Sequence, residues 1–314
     1  MKILITGAAG FIGSHTAEYF AKEGYSVYGI DNFSTYYSPE LKKMNADDLK
    51  RVGVHLVEAD LTEDLSEKLP SEFDYIFHFA AQPGISATTS LNEYVQNNIF
   101  ATQNLLDWAK ETSPNLKLFV NIATSSIYGK EATLPETEVP KPVSFYGTTK
   151  LAAEQLVLGE QRAGKINACS LRLYSVYGPR ERPEKLYTKL IKSIYDQTAF
   201  PLFEGSEKHS RSFTYVGDIV KAMAAVIGKE NKINGEIINI GSDVEYTTKQ
   251  GIELIENIIG LKAKLEITPP RPGDQFRTTA LIKKAKKLLG YQPETSFRDG
   301  LEKQVEWYRK KFLS

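Results

Sequence analysis

The stretch KILITGAAGFIG, residues 2–13, decides the fold. Lys2–Thr6 is a short apolar run of the kind that forms a buried strand. It passes straight into Gly7, Ala8, Ala9 and Gly10, then Phe11, Ile12 and Gly13, a G-x-x-G-x-x-G spacing. From about Phe11 to Glu23 the pattern turns helical. A glycine turn between a strand and a helix lets the backbone approach a pyrophosphate, while the unpaired N–H groups of the helix start face its negative charge. The third glycine allows helix and strand to pack closely. Glycines serve many turns, and it is the strand-turn-helix setting that marks this one as dinucleotide-binding.

Working outward, a second strand is predicted over Ser26–Ile30, with Asp31 at its end. A carboxylate there accepts hydrogen bonds from the adenosine ribose hydroxyls and repels a 2′-phosphate, which selects NAD over NADP. A strand-end aspartate that caps a turn is the competing reading. Further strands are expected over Val54–Glu58, Tyr75–Phe79, Lys117–Ala123 and Ala168–Tyr174, with helices near Asn92–Glu111 and Tyr146–Arg162. Asp60 and Leu61, after the third strand, are candidates for setting a carboxylate near the adenine amine, with an ordinary strand-end aspartate as the competing reading. Alternating strands and helices predict an α/β fold, a Rossmann-type doubly wound parallel sheet.

After Tyr174 the rhythm breaks at the Gly- and Pro-punctuated loop 178–183. Helices follow near Lys185–Gln197, Thr248–Ile259, Leu281–Leu288 and Phe297–Lys311. Strands are expected at Phe200–Phe203, Arg211–Tyr215 and Glu236–Ile240. The expected organisation is an NAD-binding Rossmann domain of residues 1–174 plus about 213–242. A smaller α/β C-terminal domain, about 175–212 plus 243–314, binds the substrate.

Composition fits this picture. The chain has 314 residues, 41% hydrophobic and 25% charged, and its 39 Lys+Arg balance 39 Asp+Glu. Such neutrality excludes a general electrostatic grip on nucleic acid or an anionic membrane. A single cysteine, Cys169, excludes an internal disulfide or a multi-cysteine metal site, and the four histidines show no metal-ligand spacing. No apolar run reaches the roughly 18 residues that span a bilayer. Residues 1–14 superficially resemble a signal peptide, but Thr6 and three glycines interrupt the apolar run, so no targeting segment is expected.

Tyr146 and Lys150 stand at i and i+4 on a predicted helix, which places an ammonium and a phenol on one face. A tyrosine with its ordinary pKa of about 10 is scarcely ionised at neutral pH. A neighbouring Lys⁺ and the positive nicotinamide of NAD both favour the phenolate. Roughly 4 kcal/mol of differential stabilisation makes it a usable base. Thr124, at the carboxyl end of a strand, faces the ligand crevice and is placed to bond the reacting oxygen. Hydroxyls in such a segment also satisfy loop backbone, which is the plainer reading.

These motifs, with His78-Phe79-Ala80-Ala81-Gln82, Thr124-Ser125-Ser126-Ile127-Tyr128-Gly129 and Arg211 to Asp218, resemble the extended short-chain dehydrogenase/reductase superfamily. Within it the chain is similar to the nucleotide-sugar epimerases. The resemblance covers essentially the whole chain and implies a catalytic set of Thr124, Tyr146 and Lys150. It implies that Gly7, Gly10, Phe11, Ile12, Gly13, Asp31, Asn32, Asp60, Leu61, Ala80, Ala81, Tyr146 and Lys150 hold NAD. Dehydratases and a uronate decarboxylase of that superfamily carry acids where Ser125 and Ser126 stand. Without that proton donor, elimination is disfavoured and epimerisation favoured.

Resemblance also leans to a uronic acid. The segment 31–42 is similar to the matching loop of the UDP-glucuronate 4-epimerases, Ser175 is a small hydroxyl residue as in those enzymes, and Arg182 stands where the sugar carboxylate is met. A guanidinium forks onto a carboxylate with two charge-assisted bonds, although a solvated surface arginine is the competing reading. In one place the chain departs: Pro83-Gly84-Ile85-Ser86 ends in serine where those epimerases carry arginine. The implied substrate contacts are Gln82, Ser125, Ser126, Ser175 and Arg182 for the sugar, Phe203 for the uracil, Arg211 and Arg271 for the diphosphate, and Asp274 for the uridine ribose. The implied reaction is UDP-glucuronate/UDP-galacturonate 4-epimerisation through a transient 4-keto sugar, with hydride returned to the opposite face. A neutral UDP-hexose epimerase and a net NAD-dependent oxidoreductase are the alternatives. By the same analogy the protein is a cytoplasmic homodimer, joined through a four-helix bundle and serving polysaccharide biosynthesis.

Overall fold

The structure is a computed structural model that describes residues 1–86, 88–270 and 275–313. Its frame is a seven-stranded sheet: β1 (Lys2–Thr6), β2 (Ser26–Asp31), β3 (His55–Glu58), β4 (Tyr75–His78), β5 (Leu118–Thr124), β6 (Ala168–Leu173) and β7 (Ile237–Ile240). The order across the sheet is β7-β6-β5-β4-β1-β2-β3, and every pair is parallel. This is the doubly wound fold expected. The sheet grows from β1 in one direction and from β4 in the other, so a crevice opens between their carboxyl ends.

The sheet buries both faces. In β1, Ile3 and Ile5 enter one core while Leu4 enters the other. In β5, Leu118, Val120 and Ile122 join the first and Phe119 the second. Alternation with period two does this wherever helices cover both sides. The helices that position the site are α1 (Phe11–Lys22), α2 (Pro39–Arg51), α3 (residues 91–112) and α4 (Phe145–Arg162). A π turn over Gln96–Phe100 interrupts α3.

A third core gathers Tyr187, Leu190 and Ile191 of α5 (Leu186–Asp196) with Phe200, Phe213, Ile252, Phe297 and Leu301. Around it lie helices Thr248–Ile259 and Phe297–Phe312 and a parallel strand pair, Ala199–Phe203 with Lys264–Thr268. The expected strand Arg211–Tyr215 is instead two short pieces in different sheets, Ser210–Arg211 and Thr214–Tyr215. Between them the chain bends to bury Phe213 in this third core. Among the described residues no helix is long and apolar enough to cross a membrane.

Candidate active site

The glycine turn is built as its spacing implies. Gly7 has φ +65°, a conformation L side chains rarely adopt, and a Cβ there would lie 2.9 Å from the Ala80 nitrogen. A Cβ on Gly13 would collide with the Gly7 carbonyl. The first glycine thus lets the turn approach the end of β4, and the third lets α1 start against the turn. Asp31 ends β2, buried. Its carboxylate accepts from the N–H groups of Ala9 (3.1 Å) and Phe33 (2.9 Å), and Lys42 Nζ lies 3.3 Å away. A carboxylate has about four acceptor sites, so capacity remains for a ribose hydroxyl. Lys42 comes from α2, whose Asn45 also donates to the Ala9 carbonyl at 2.9 Å. Asp60 accepts from Asn32 (2.8 Å) and from both donors of Thr62. Burial raises its pKa, but these bonds outweigh it and hold the carboxyl below the usual range.

Beneath the crevice runs a directional chain of hydrogen bonds. The Ala80 N–H donates to Thr6 (3.1 Å), whose hydroxyl meets His78 Nδ1 at 2.8 Å. His78 Nε2 meets Thr102 at 2.9 Å, and Thr102 donates to the Asn98 carbonyl at 2.7 Å. The sequence of donors assigns the proton to Nε2 of a neutral ring. Burial, with Lys150 adding to it, pushes the imidazole down to about 3. Asn98, inside the π turn, accepts from the Gln82 N–H (2.7 Å) and donates to Thr149 of α4 (2.9 Å). The π turn therefore ties the β4 loop to α4, the helix that carries Tyr146 and Lys150.

Ser144 caps α4 by accepting from the Gly147 N–H. The first two turns carry Tyr146, half-buried, and Lys150, buried. Burial raises the Tyr146 phenol above its ordinary value, against the pull of the Thr124 hydroxyl and the Arg182 guanidinium, while Tyr94 and Tyr36 add to the rise. In the protein alone, then, the phenol is less acidic than the Tyr-Lys spacing led us to expect, because desolvation outweighs the nearby charges. Burial pushes Lys150 down to about 8, with Glu154 opposing. Glu154 in turn forms a fully buried pair with Arg172 (2.6 Å) and accepts from Ser170 (2.9 Å), which locks α4 onto β6.

Arg182 is nearly buried. Its guanidinium lies 5.7 Å and 6.0 Å from the ring centres of Tyr36 and Tyr37, and its Nη1 is 2.7 Å from Glu184. Gly84 sits against it, leaving 3.2 Å between a notional Cβ and Nη2. Ser175 has φ +25°, a strained value for a residue with a side chain, as occurs where a site over-determines the backbone.

One cavity of about 630 Å³ joins these groups. Around the glycine turn and the carboxyl ends of β2, β3 and β4 it is lined by Gly7, Gly10, Phe11, Ile12, Gly13, Asp31, Asn32, Asp60, Leu61, Ala80 and Ala81. Thr124, Ser125, Ser126, Tyr146, Lys150, Gln82, Ser175, Arg182, Phe203 and Arg211 also line it. Ser86 does not line it; its hydroxyl serves Thr88 and Thr89. Arg271 and Asp274 lie outside the described residues. The cradle formed by Gly7 and Gly13, with the Asp31 carboxylate beyond it, fits a dinucleotide.

Sequence reasoning missed Lys42, Asn45, Asn98, Glu181 and Lys185. The first two were findable: Ser38-Pro39 is a helix start, with buried Leu41, Asn45 and Leu49 at i, i+4 and i+8.

A model of the NAD dependent epimerase/dehydratase family matches residues 3–241, and the chain belongs to that family. It is 40% identical over 313 residues to an uncharacterized UDP-glucose epimerase of Bacillus subtilis, YtcB, covering 98% of each chain. It is 34% identical to UDP-glucuronate 4-epimerase 4 of Arabidopsis thaliana, covering 98% of this chain and 75% of that one. Among solved structures, it is similar to a tyrosine-to-phenylalanine mutant of the UDP-glucuronic acid 4-epimerase from Bacillus cereus, in complex with UDP-4-deoxy-4-fluoro-glucuronic acid and NAD. That match has a TM-score of 0.93 and 36% identity, and covers 99% of this chain and 100% of the other.

Proposed function

We propose that this protein is an NAD-dependent UDP-sugar 4-epimerase that interconverts UDP-glucuronate and UDP-galacturonate. The observation that carries the substrate choice is Arg182, a nearly buried guanidinium in the same cavity as Tyr146 and electrostatically felt by its phenol. The likeness to the Bacillus cereus and Arabidopsis thaliana enzymes supports it.

NAD, held by the glycine turn and Asp31, would supply a reversible hydride acceptor for C4 of the sugar. Tyr146 takes the proton of the C4 hydroxyl and later returns it. Thr124, whose hydroxyl pulls the phenol's pKa down, orients the oxygen. Lys150 would hold the nicotinamide ribose, and its ammonium, one helix turn from Tyr146, would favour the phenolate. The 4-keto sugar turns in the cavity before reduction on its other face. A 4-keto uronate is a β-keto acid prone to lose CO₂. Ser125, Ser126, Ser175 and Arg182 hold its carboxylate in the sugar plane, where C–C cleavage is stereoelectronically poor. Detection of UDP-pentose as the main product would contradict this.

We read the sheet half, 1–174 with about 213–242, as the cofactor domain and the remainder as the nucleotide-sugar domain, in keeping with the separate third core. We further infer a homodimer through α3 and α4, on which Leu91, Phe100 and Phe145 are exposed. Phe100→Glu should then halve the mass seen by light scattering.

The name of the Bacillus subtilis relative favours a second reading, a neutral UDP-hexose epimerase. Incubating purified protein with UDP-glucuronate, UDP-galacturonate, UDP-glucose and UDP-galactose in turn, with products resolved by anion exchange, decides between them. Conversion of the uronates at least tenfold faster than the hexoses is expected; the reverse order refutes the proposal.

A further inference from the structure

The Arg182 guanidinium has little polar anchoring. Its Nη1 is buried and has no hydrogen-bond partner among the described residues, although a Glu184 oxygen stands 2.7 Å away. Glu184 is exposed, and an ion pair with an exposed partner fixes a side chain only weakly. Two aromatic rings bound the group instead. The ring centres of Tyr36 and Tyr37 lie 5.7 Å and 6.0 Å from the guanidinium carbon. Gly84 closes in as well, and its carbonyl accepts from the Tyr94 hydroxyl at 2.7 Å.

Both tyrosines come from the segment between β2 and α2, both are half-buried, and both line the cavity. That segment is tied down along its length. The Phe33 N–H donates to Asp31 (2.9 Å), the Tyr36 N–H donates to the Ser34 hydroxyl (3.3 Å), and Ser38 caps α2. The Tyr37 ring also meets a second cation, Lys42, whose Nζ lies 5.2 Å from its centre and 3.3 Å from Asp31. Burial, with the Asp31 charge adding to it, holds the Tyr37 phenol well above its ordinary value, so Tyr37 offers Arg182 a neutral ring and no phenolate. An aromatic face attracts a guanidinium within about 6 Å and occupies none of its five N–H donors. A carboxylate or amide in the same place would accept those donors and compete with a ligand for them.

We propose that Tyr36 and Tyr37 are positioning residues: their rings fix the Arg182 guanidinium while leaving its donors free for the substrate carboxylate, and the pair thereby sets the preference for a uronate over a neutral hexose. The assignment rests on the UDP-glucuronate reading above and deepens it. Tyrosines that served only to pack this segment would affect both sugars alike.

The test compares Tyr36→Leu/Tyr37→Leu with Tyr36→Phe/Tyr37→Phe, each in NAD-loaded protein that also carries Tyr146→Phe, so that turnover does not disturb binding. Calorimetry reads the Kd of UDP-glucuronate and of UDP-glucose, and crystal structures without nucleotide sugar read the guanidinium. In the leucine pair the Kd of UDP-glucuronate should rise about 10-fold and that of UDP-glucose less than about 2-fold, while the phenylalanine pair stays within about 2-fold for both. Should the leucine pair fail to fold, Tyr36→Leu alone is read in the same way, with a rise of about 3-fold expected for UDP-glucuronate. Unchanged UDP-glucuronate affinity overturns the proposal. So does an equal loss of UDP-glucose, which makes the rings general packing, or an equal loss in the phenylalanine pair, which assigns the effect to the hydroxyls. If protein with both tyrosines intact binds UDP-glucuronate no more tightly than UDP-glucose, the substrate reading fails and the crystals decide the positioning role. A guanidinium displaced in the leucine pair and kept in the phenylalanine pair sustains that role; one that stays in place in both overturns it.

Discussion

Replacing Arg182 by methionine removes a cation that lines the same cavity as Tyr146 and lowers the pKa of its phenol. The two effects are separable. Two charge-assisted hydrogen bonds to a carboxylate contribute roughly 1.5–3 kcal/mol each. Glu184 already shares the guanidinium, and the cavity admits water, so a net loss of about 2–3 kcal/mol is the appropriate figure. That is about a 30- to 150-fold fall in kcat/KM for UDP-glucuronate. A neutral hexose loses none of it. Both substrates, however, feel the phenol. Arg182 lowers the Tyr146 pKa, so its removal raises it further, and the rising limb of the pH–rate profile moves to higher pH for either sugar. The assay is kcat/KM for UDP-glucuronate and UDP-glucose across pH 6–10, wild type against Arg182→Met, with NAD content checked. The expected result is a common alkaline displacement plus a uronate-specific loss that no pH recovers. If both sugars lose the same factor at every pH, Arg182 acts through Tyr146 alone and the carboxylate argument is wrong.

Tyr146→Phe keeps the ring but not the proton carrier, so kcat should fall about 10²- to 10⁴-fold while UDP affinity, measured by calorimetry, is retained. His78 is held at about 3 when folded against an ordinary 6.5. The unfolded chain therefore binds the extra proton first as pH falls below 6.5, and stability declines with it. From pH 7 to pH 5 this amounts to about 2 kcal/mol, a loss that denaturant titration should find missing in His78→Asn. Arg172→Met leaves Glu154 buried and unpaired and should cost roughly 3–5 kcal/mol in the same titration. Adding Glu154→Met should recover most of that, since the doubly apolar pair buries no charge.

The parts of the fold that were legible share one property: each is specified by residues close together in the chain. Strand, glycine turn and α1 need only residues 2–22, and Tyr146 and Lys150 need only the helical repeat. Asp31 was readable because the end of a strand next to such a turn has a fixed place relative to it. The misses are of another kind. α2 opens on Ser38-Pro39, a local signal, but charged residues dilute its apolar stripe until Asn45 is seen to bond the glycine turn. Strand Lys264–Thr268 exposes Leu265 and Ile267, so its alternation lacks a buried side to announce it. The π turn around Asn98 exists to reach Gln82 and Thr149, from two other segments, and nothing in residues 96–100 states that need.

Site chemistry divides along the same line. Which groups carry a proton is a local matter, and the tyrosine and lysine declare it. How readily they give it up depends on what the fold closes around them. The Tyr-Lys spacing argued for an acidic phenol, whereas the folded protein buries that phenol and raises it, with Thr124 and Arg182 as the opposing pulls. Thr124 comes from the end of β5 and Arg182 from the loop before α5, so the strength of the base is set by where the sheet half and the third core meet. It follows that the enzyme is least ready to ionise Tyr146 when empty. On the function proposed above, bound NAD would add positive charge near Lys150 and the substrate would engage Thr124, so that Tyr146 would ionise more readily with both ligands held.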